Sequence, residues 1–184
     1  MSLVPNAITL IRLLASPLSA WLIVQGRFRE ALAVVVVSGV TDWLDGFAAR
    51  RLQVKGNLGI IFDPLADKVL LVTLFVALAV VGLIQFWLLA LVIGRDLVIV
   101  VGALLLRIFR NVRQFRPSVL GKVSTFFQII FVLMVLLYAA FPYELLLWLR
   151  VTALGLTALF TTLSGIEYVR LGIRLTRRQP VSVT

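Results

Sequence analysis

Two residue types are missing altogether from this 184-residue sequence, cysteine and histidine. Without cysteine there are no disulfides and no thiol nucleophiles. Without histidine there are no Ser-His-Asp or Cys-His sites and no zinc centres built on imidazole. Acidic residues are scarce as well: 8 Asp and Glu stand against 18 Lys and Arg, for a net charge of +10. Any chemistry in this chain therefore rests on a few carboxylates and on basic side chains. Internal repeats and low-complexity stretches are also missing. No cleavable signal peptide is expected, because residues 1–6 lack a basic region and the first apolar run leads into further ones.

What the chain has in excess is apolar surface. Hydrophobic residues make up 61% of it, and the mean hydropathy is +1.09. Soluble domains sit nearer 45–50% apolar, and the runs here are long. Val72 to Trp87 holds Gln85 as its only strongly polar residue. Spans of about 20 residues match a hydrocarbon core of about 30 Å. The pattern predicts an all-α integral membrane protein with six transmembrane helices, near 7–25, 31–50, 58–81, 86–106, 118–140 and 146–169. One domain covers residues 1–176, followed by a polar tail at 177–184. Pro5 and Pro17 bracket the first span, which suggests that its start forms a separate interfacial turn.

The basic residues flank the spans and divide unevenly. Arg50, Arg51, Lys55, Arg107, Arg110, Arg113, Arg116, Lys122, Arg170, Arg174, Arg177 and Arg178 fall on one side of this topology, against Arg27, Arg29 and Arg150 on the other. The positive-inside rule places the richer side, and both termini, in the cytoplasm. The charge then reads as topology and contact with anionic lipid, with no nucleic-acid partner.

Charged groups inside a membrane span cost at least a few kcal/mol each and mark function by default. Four of the eight acidic residues cluster: Asp42, Asp45, Asp63 and Asp67. Helical spacing puts Asp42, Asp45, Gly46, Ala49 and Gln53 on one face, and Gly59, Asp63 and Asp67 on a face of the next helix. The turn at 51–57 makes the two helices antiparallel neighbours with all four carboxylates at similar depth. They outnumber Arg50, Lys68 and Arg95, so ion pairing alone does not account for them. One or two hard divalent cations with oxygen ligands (magnesium, manganese or calcium) would balance the charge, and such ions leave positions for substrate phosphates. Gly46 and Gly59 suit either close approach of a ligand or helix packing.

These residues resemble a known signature. Asp42-Trp-Leu-Asp45-Gly46-Phe-Ala-Ala49-Arg50, eight residues, Gly59, three residues, Asp63, three residues, Asp67 fills every fixed position of D-x-x-D-G-x-x-A-R-x(8)-G-x-x-x-D-x-x-x-D. That is the pattern of the CDP-alcohol phosphatidyltransferases. Pro5-Asn6-Ala-Ile-Thr9-Leu-Ile-Arg12 is similar to the family's first segment, and Asp63-Pro64-Leu-Ala-Asp67-Lys68 resembles its phospholipid-synthesising branch. The resemblance implies six transmembrane helices, a homodimer, and an active site open to the cytoplasm of the inner membrane. It further implies that Asp42, Asp45 and Asp63 ligate Mg2+ or Mn2+, two ions per site. Asp67 completes that site and acts as general base. Asn6, Thr9, Asp45, Gly46, Ala49, Arg50 and Gly59 would form the cytidine nucleotide pocket, with Arg50 near the diphosphate. The substrates implied are CDP-diacylglycerol and a glycerol-type alcohol.

The acceptor is read from the basic residues. Arg95 lies inside the fourth span, where an unpaired charge is costly, and Arg107, Arg110, Arg113 and Lys122 form a cytoplasmic cluster. An acceptor that carries phosphate suits all five. Gly121-Lys122-Val-Ser124-Thr125-Phe-Phe-Gln128 differs by one serine from the G-K-x-K-T-x-x-Q of glycerol-phosphate-accepting relatives. Arg95-Asp96 resembles eukaryotic-type cardiolipin synthases, whereas the glycerol-phosphate enzymes tend to carry R-E. One cation fewer fits a phosphodiester, so phosphatidylglycerol is the expected acceptor and glycerol 3-phosphate the alternative. From a different class, an ion-coupled transporter also uses intramembrane carboxylates, but it tends to show paired broken helices in two related halves.

Overall fold

The computed structural model describes residues 3–52, 59–110 and 118–177, with side chains described over 14–41, 68–102 and 118–174. These residues form six α-helices and, among the described residues, no strand. They are α1 (Leu3–Val24), α2 (Phe28–Leu52), α3 (Gly59–Val80), α4 (Phe86–Arg110), α5 (Val119–Ala140) and α6 (Glu144–Arg177). The sequence expectation of an all-α chain with six helices holds, and most ends agree to within a few residues. Two helices, Val119–Ala140 and Glu144–Arg174, are long and apolar enough to cross a membrane, and Leu14–Val24 and Lys68–Val80 are shorter apolar helical stretches.

Local chemistry explains where the helices stop. Gly26 and Gly82 adopt φ of 72° and 75°, a region that glycine enters at no steric cost. Each closes a Schellman motif. After α1, Arg27 N donates to Leu22 O at 2.9 Å and Gly26 N to Ile23 O at 3.0 Å. After α3, Leu83 N donates to Leu78 O at 2.9 Å and Gly82 N to Ala79 O at 3.0 Å. The last carbonyls of both helices are thereby satisfied without water. Phe141-Pro142-Tyr143 ends α5, since the residue before a proline is pushed out of the helical region. Glu144 then opens α6 with a negative charge at the positive end of the helix dipole.

The start of α1 corrects one expectation. The helix runs unbroken from Leu3 to Val24 through Pro17, with no separate turn within those residues. Pro5 sits in the first turn, where helix N–H groups have no intrahelical partner anyway. Further along, the Ser19 hydroxyl donates to Ala15 O at 2.5 Å.

The described chain divides into two compact units. The first contains Met1–Gln85 with Val132–Leu149, and the second Phe86–Phe131 with Arg150–Thr184. In the first, α1 packs against both α2 and α3. Its core holds Leu22, Ile23, Leu74, Phe75, Leu78, Val135 and Leu136, each 4% exposed or less. Arg29 on α2 donates from Nε to Ala140 O at 3.3 Å, and its guanidinium lies 5.0 Å from the Phe141 ring. A cation thus sits at the C-terminal end of α5, where the helix dipole is negative.

In the second unit polar side chains share the interior with Leu88, Val92 and Phe131. Its buried side chains include Arg95, Ser124, Gln128, Thr157, Thr161 and Ser164. The large aliphatic residues of the same helices (Leu97, Val101, Ile129, Leu159, Leu163, Ile166 and Val169) are exposed. In water this arrangement would be costly, because apolar area drives burial at roughly 25 cal/mol per Å². In lipid it is the expected one: hydrocarbon solvates the aliphatic face, while small and polar residues find each other between helices.

Candidate active site

The eight motif positions fall on two consecutive helices. Asp42, Asp45, Gly46, Ala49 and Arg50 occupy the C-terminal half of α2, and Gly59, Asp63 and Asp67 the first part of α3. Both motif halves are helical, as the spacing argument requires, and they lie on either side of the 53–58 connection. Asn6 and Thr9 stand in the first turns of α1. The side chains of all ten lie outside the described residues. Arg107 and Arg110 lie at the end of α4, with side chains likewise outside, and Arg113 and Arg116 fall outside the described residues entirely.

The basic residues that are described occupy two very different settings. Lys122, in the first turn of α5, is exposed. Arg95, in the middle of α4, has a side chain only 5% exposed. Its Nε donates to the Ser164 hydroxyl at 3.1 Å, and Nη2 donates to the same oxygen at 2.9 Å. Nη2 also reaches the Gly121 carbonyl at 3.1 Å, and Nη1 bonds Asp96 Oδ1 at 2.6 Å. The guanidinium carbon lies 5.8 Å from the centre of the Tyr168 ring, within cation–π range. One side chain of α4 thus bonds both α5 and α6.

Around that arginine the first turn of α5 is held from two sides. Ser118 is its N-cap, and its hydroxyl accepts from Gly121 N at 3.0 Å. Ser118 N in turn donates to the Tyr168 hydroxyl at 3.0 Å. Gly121 leaves no room for a larger residue. A Cβ there would stand 2.9 Å from Tyr168 Oη, 3.1 Å from Arg95 Nη2 and 3.2 Å from Ser118 Oγ.

The polar seam continues along the same pair of helices. Ser124 Oγ and Thr161 Oγ1 are 3.1 Å apart, and Gln128 Nε2 donates to both, at 3.3 and 3.2 Å. Thr157 donates to Phe127 O at 3.0 Å, and the rings of Phe127 and Phe160 stack at 4.8 Å. Ser124, where glycerol-phosphate-accepting relatives typically carry a second lysine, is fully buried between α5 and α6. Sequence reasoning missed the α6 half of this seam. The signal was present: Thr157, Thr161, Ser164 and Tyr168 recur at spacings of four, three and four, which is one helical face.

An apolar all-helical chain with four aspartates at fixed spacing on consecutive helices, and basic residues on the helices that follow, has the makings of a membrane enzyme acting on phosphates. The chain belongs to the CDP-alcohol phosphatidyltransferase family, whose profile matches residues 2–163. It is 33% identical over 157 residues to a chloroplastic CDP-diacylglycerol–glycerol-3-phosphate 3-phosphatidyltransferase of Oryza sativa, covering 76% of this chain and 48% of that one. It is 31% identical over 186 residues to the CMP-forming cardiolipin synthase of Rattus norvegicus, covering 92% and 61%. It is 32% identical over 186 residues to a CDP-diacylglycerol–glycerol-3-phosphate 3-phosphatidyltransferase of Bacillus subtilis, covering 89% and 92%. The chain thus spans about half the length of the rice relative, but nearly all of the bacterial one.

Proposed function

We infer that this protein transfers a phosphatidyl group from CDP-diacylglycerol to a glycerol-type alcohol in anionic phospholipid synthesis, releasing CMP. The observation that carries this reading is the complete eight-position motif, Asp42 to Asp67, within a chain matched by the family profile over 2–163. The family match favours a transferase over an ion-coupled transporter. The partners in this reading are the two lipid substrates, the surrounding bilayer and a second copy of the chain in a homodimer.

Within it, the donor set of Asp42, Asp45, Asp63 and Asp67 is all hard carboxylate oxygen, in a chain without imidazole or thiolate. That chemistry suits Mg2+ or Mn2+. When bound, such ions neutralise the diphosphate and the charge that develops on the departing CMP. Asn6, Thr9, Gly46, Ala49 and Gly59 line the nucleotide pocket, and Arg50 meets the diphosphate. Asp67 takes the proton of the acceptor hydroxyl as its oxygen bonds to the lipid-side phosphorus. The bond from that phosphorus to the CMP oxygen breaks, and the electron pair leaves with CMP. Lys122, with Arg107, Arg110 and Arg113, provides cationic contacts for an acceptor phosphate.

Phosphatidylglycerol is the acceptor we favour, making the product cardiolipin. Support comes from the Arg95-Asp96 pair and from Ser124, a neutral side chain where glycerol-phosphate-accepting relatives place a cation. The relatives include both activities by name, which keeps glycerol 3-phosphate as the second reading. Purified protein with CDP-diacylglycerol and Mg2+ or Mn2+ should yield cardiolipin from labelled phosphatidylglycerol. Product from glycerol 3-phosphate and none from phosphatidylglycerol would reverse the assignment.

The uneven distribution of Lys and Arg supports both termini, and the active site, facing the cytoplasm. Because the chain lacks cysteine, single introduced thiols report side without background. Gln53→Cys and Gln179→Cys should react with an impermeant reagent only from the cytoplasmic face, and Glu144→Cys only from the opposite one. Labelling of Gln53→Cys from outside intact cells contradicts this orientation.

A further inference from the structure

Arg95 was expected to bind the acceptor phosphate, yet four of its five N–H groups are directed at protein. Ser164 Oγ receives both Nε and Nη2, Gly121 O receives Nη2 as well, and Asp96 receives Nη1. The guanidinium is closed over the α5 backbone so tightly that not even a methyl group fits at Gly121 without movement. A phosphate oxygen could gain these donors only by displacing the contacts that hold three helices together.

We propose that Arg95, Ser164 and Tyr168 form a positioning node that fixes the first turn of α5 and so sets the direction in which Lys122 presents its charge to the acceptor phosphate. The node grips this turn at two points, and the turn's own cap adds a third. Arg95 holds the Gly121 carbonyl from α4, the Tyr168 hydroxyl holds Ser118 N from α6, and the Ser118 hydroxyl returns to Gly121 N. Lys122 follows Gly121 directly, its own N–H bonded to Ser118 O at 3.2 Å. Its side chain is exposed whereas the residues of the node are buried, with Arg95 6%, Ser164 0% and Tyr168 7% exposed. A lysine carries its charge on a flexible four-carbon stem, so the backbone beneath it must be fixed for that charge to be aimed. Specificity for the acceptor then depends on residues that do not touch it.

The proposal rests on Lys122 meeting the acceptor, as argued above, and its test separates the two ideas. Tyr168→Phe removes the hydroxyl that accepts from Ser118 N and keeps the ring. It should raise the acceptor KM by about three- to tenfold, the worth of one hydrogen bond, with kcat little changed and the KM for CDP-diacylglycerol unaffected. Arg95→Lys keeps the charge but cannot reach three partners with one ammonium group. It should behave like Arg95→Gln, with no rescue. The Arg95→Gln and Tyr168→Phe effects should combine to less than their product, as expected for side chains that act on one element.

A second measurement needs no turnover. Full-length protein carrying Lys122→Cys with a nitroxide spin label should show faster label motion when Tyr168→Phe or Arg95→Gln is added. A wild-type acceptor KM in Arg95→Lys would identify Arg95 as a charge that meets the phosphate directly and overturn the proposal. So would label motion that neither node substitution alters. If neither phosphatidylglycerol nor glycerol 3-phosphate is turned over, the reading of function fails, while the spin label still decides the node.

Discussion

Asp67→Asn should lower turnover by about 10²-fold or more, the usual contribution of a positioned general base, while leaving binding of the CDP-lipid largely intact. Asparagine keeps the size and one oxygen of the aspartate but cannot accept the acceptor's proton. Asp63→Asn should behave differently. It removes a negative oxygen from the proposed metal-ligating set, so activity should fall together with apparent affinity for Mg2+ or Mn2+, and higher metal concentration should recover part of it. Titrating metal against CMP release in both variants separates the roles. The base variant should show a low plateau reached at an ordinary metal concentration, and the ligand variant a displaced curve. Near-wild-type release from either protein would remove the corresponding role.

The aspartates could be assigned this way because their information is local. Eight fixed positions over 42–67 need only two helices and a short connection to make sense, and α2 and α3 supply them. Helix placement was legible for the same reason. Gly26 and Gly82 sit one residue beyond the last full turn, where only a positive φ completes the cap. What misled at α1 was proline: Pro5 and Pro17 were weighed as boundaries, yet a proline in the first turn costs nothing, and α1 continues through the second. The end of α6 was underestimated because apolar span and helix were treated as one length. The helix continues to Arg177, although the expected span stops near residue 169. Nothing in Arg170-Leu-Gly-Ile-Arg174 breaks a helix, and leaving the hydrocarbon does not.

The setting of Arg95 was the least legible feature. Its partners Ser164, Gly121 and Tyr168 are 26 to 73 residues away in sequence, and no periodicity links them. A charge in a membrane span signals function by default, and that rule pointed to a ligand role. Interhelical bonding satisfies the same energetic demand, and only tertiary placement distinguishes the two. Ser124 shows the same limit. As a sequence difference it reads as a lost cation, whereas in the fold it is one rung of the seam that joins Gln128 and Thr161.

That setting leads to a large expected effect on stability. Arg95→Leu should destabilise the protein by about 1–3 kcal/mol, as loss of charge-assisted hydrogen bonds from a buried donor does. The cost has two parts. Asp96, whose side chain is 15% exposed, loses its contact with the guanidinium. The Gly121 carbonyl loses one donor, keeping the Thr125 hydroxyl at 3.1 Å. If the first part dominates, Arg95→Leu/Asp96→Leu should regain much of the loss, because a pair replaced as a whole by apolar side chains is often close to neutral. Asp96→Asn alone should cost less than Arg95→Leu, since the amide oxygen still accepts from Nη1. Thermal unfolding of the three variants in one detergent ranks them directly. The expected order of stability is wild type, Asp96→Asn, the double variant, then Arg95→Leu. A double variant no more stable than Arg95→Leu would shift the weight from the ion pair to the three-helix contact. An Arg95→Leu variant as stable as wild type would show that neither part of the cost is real.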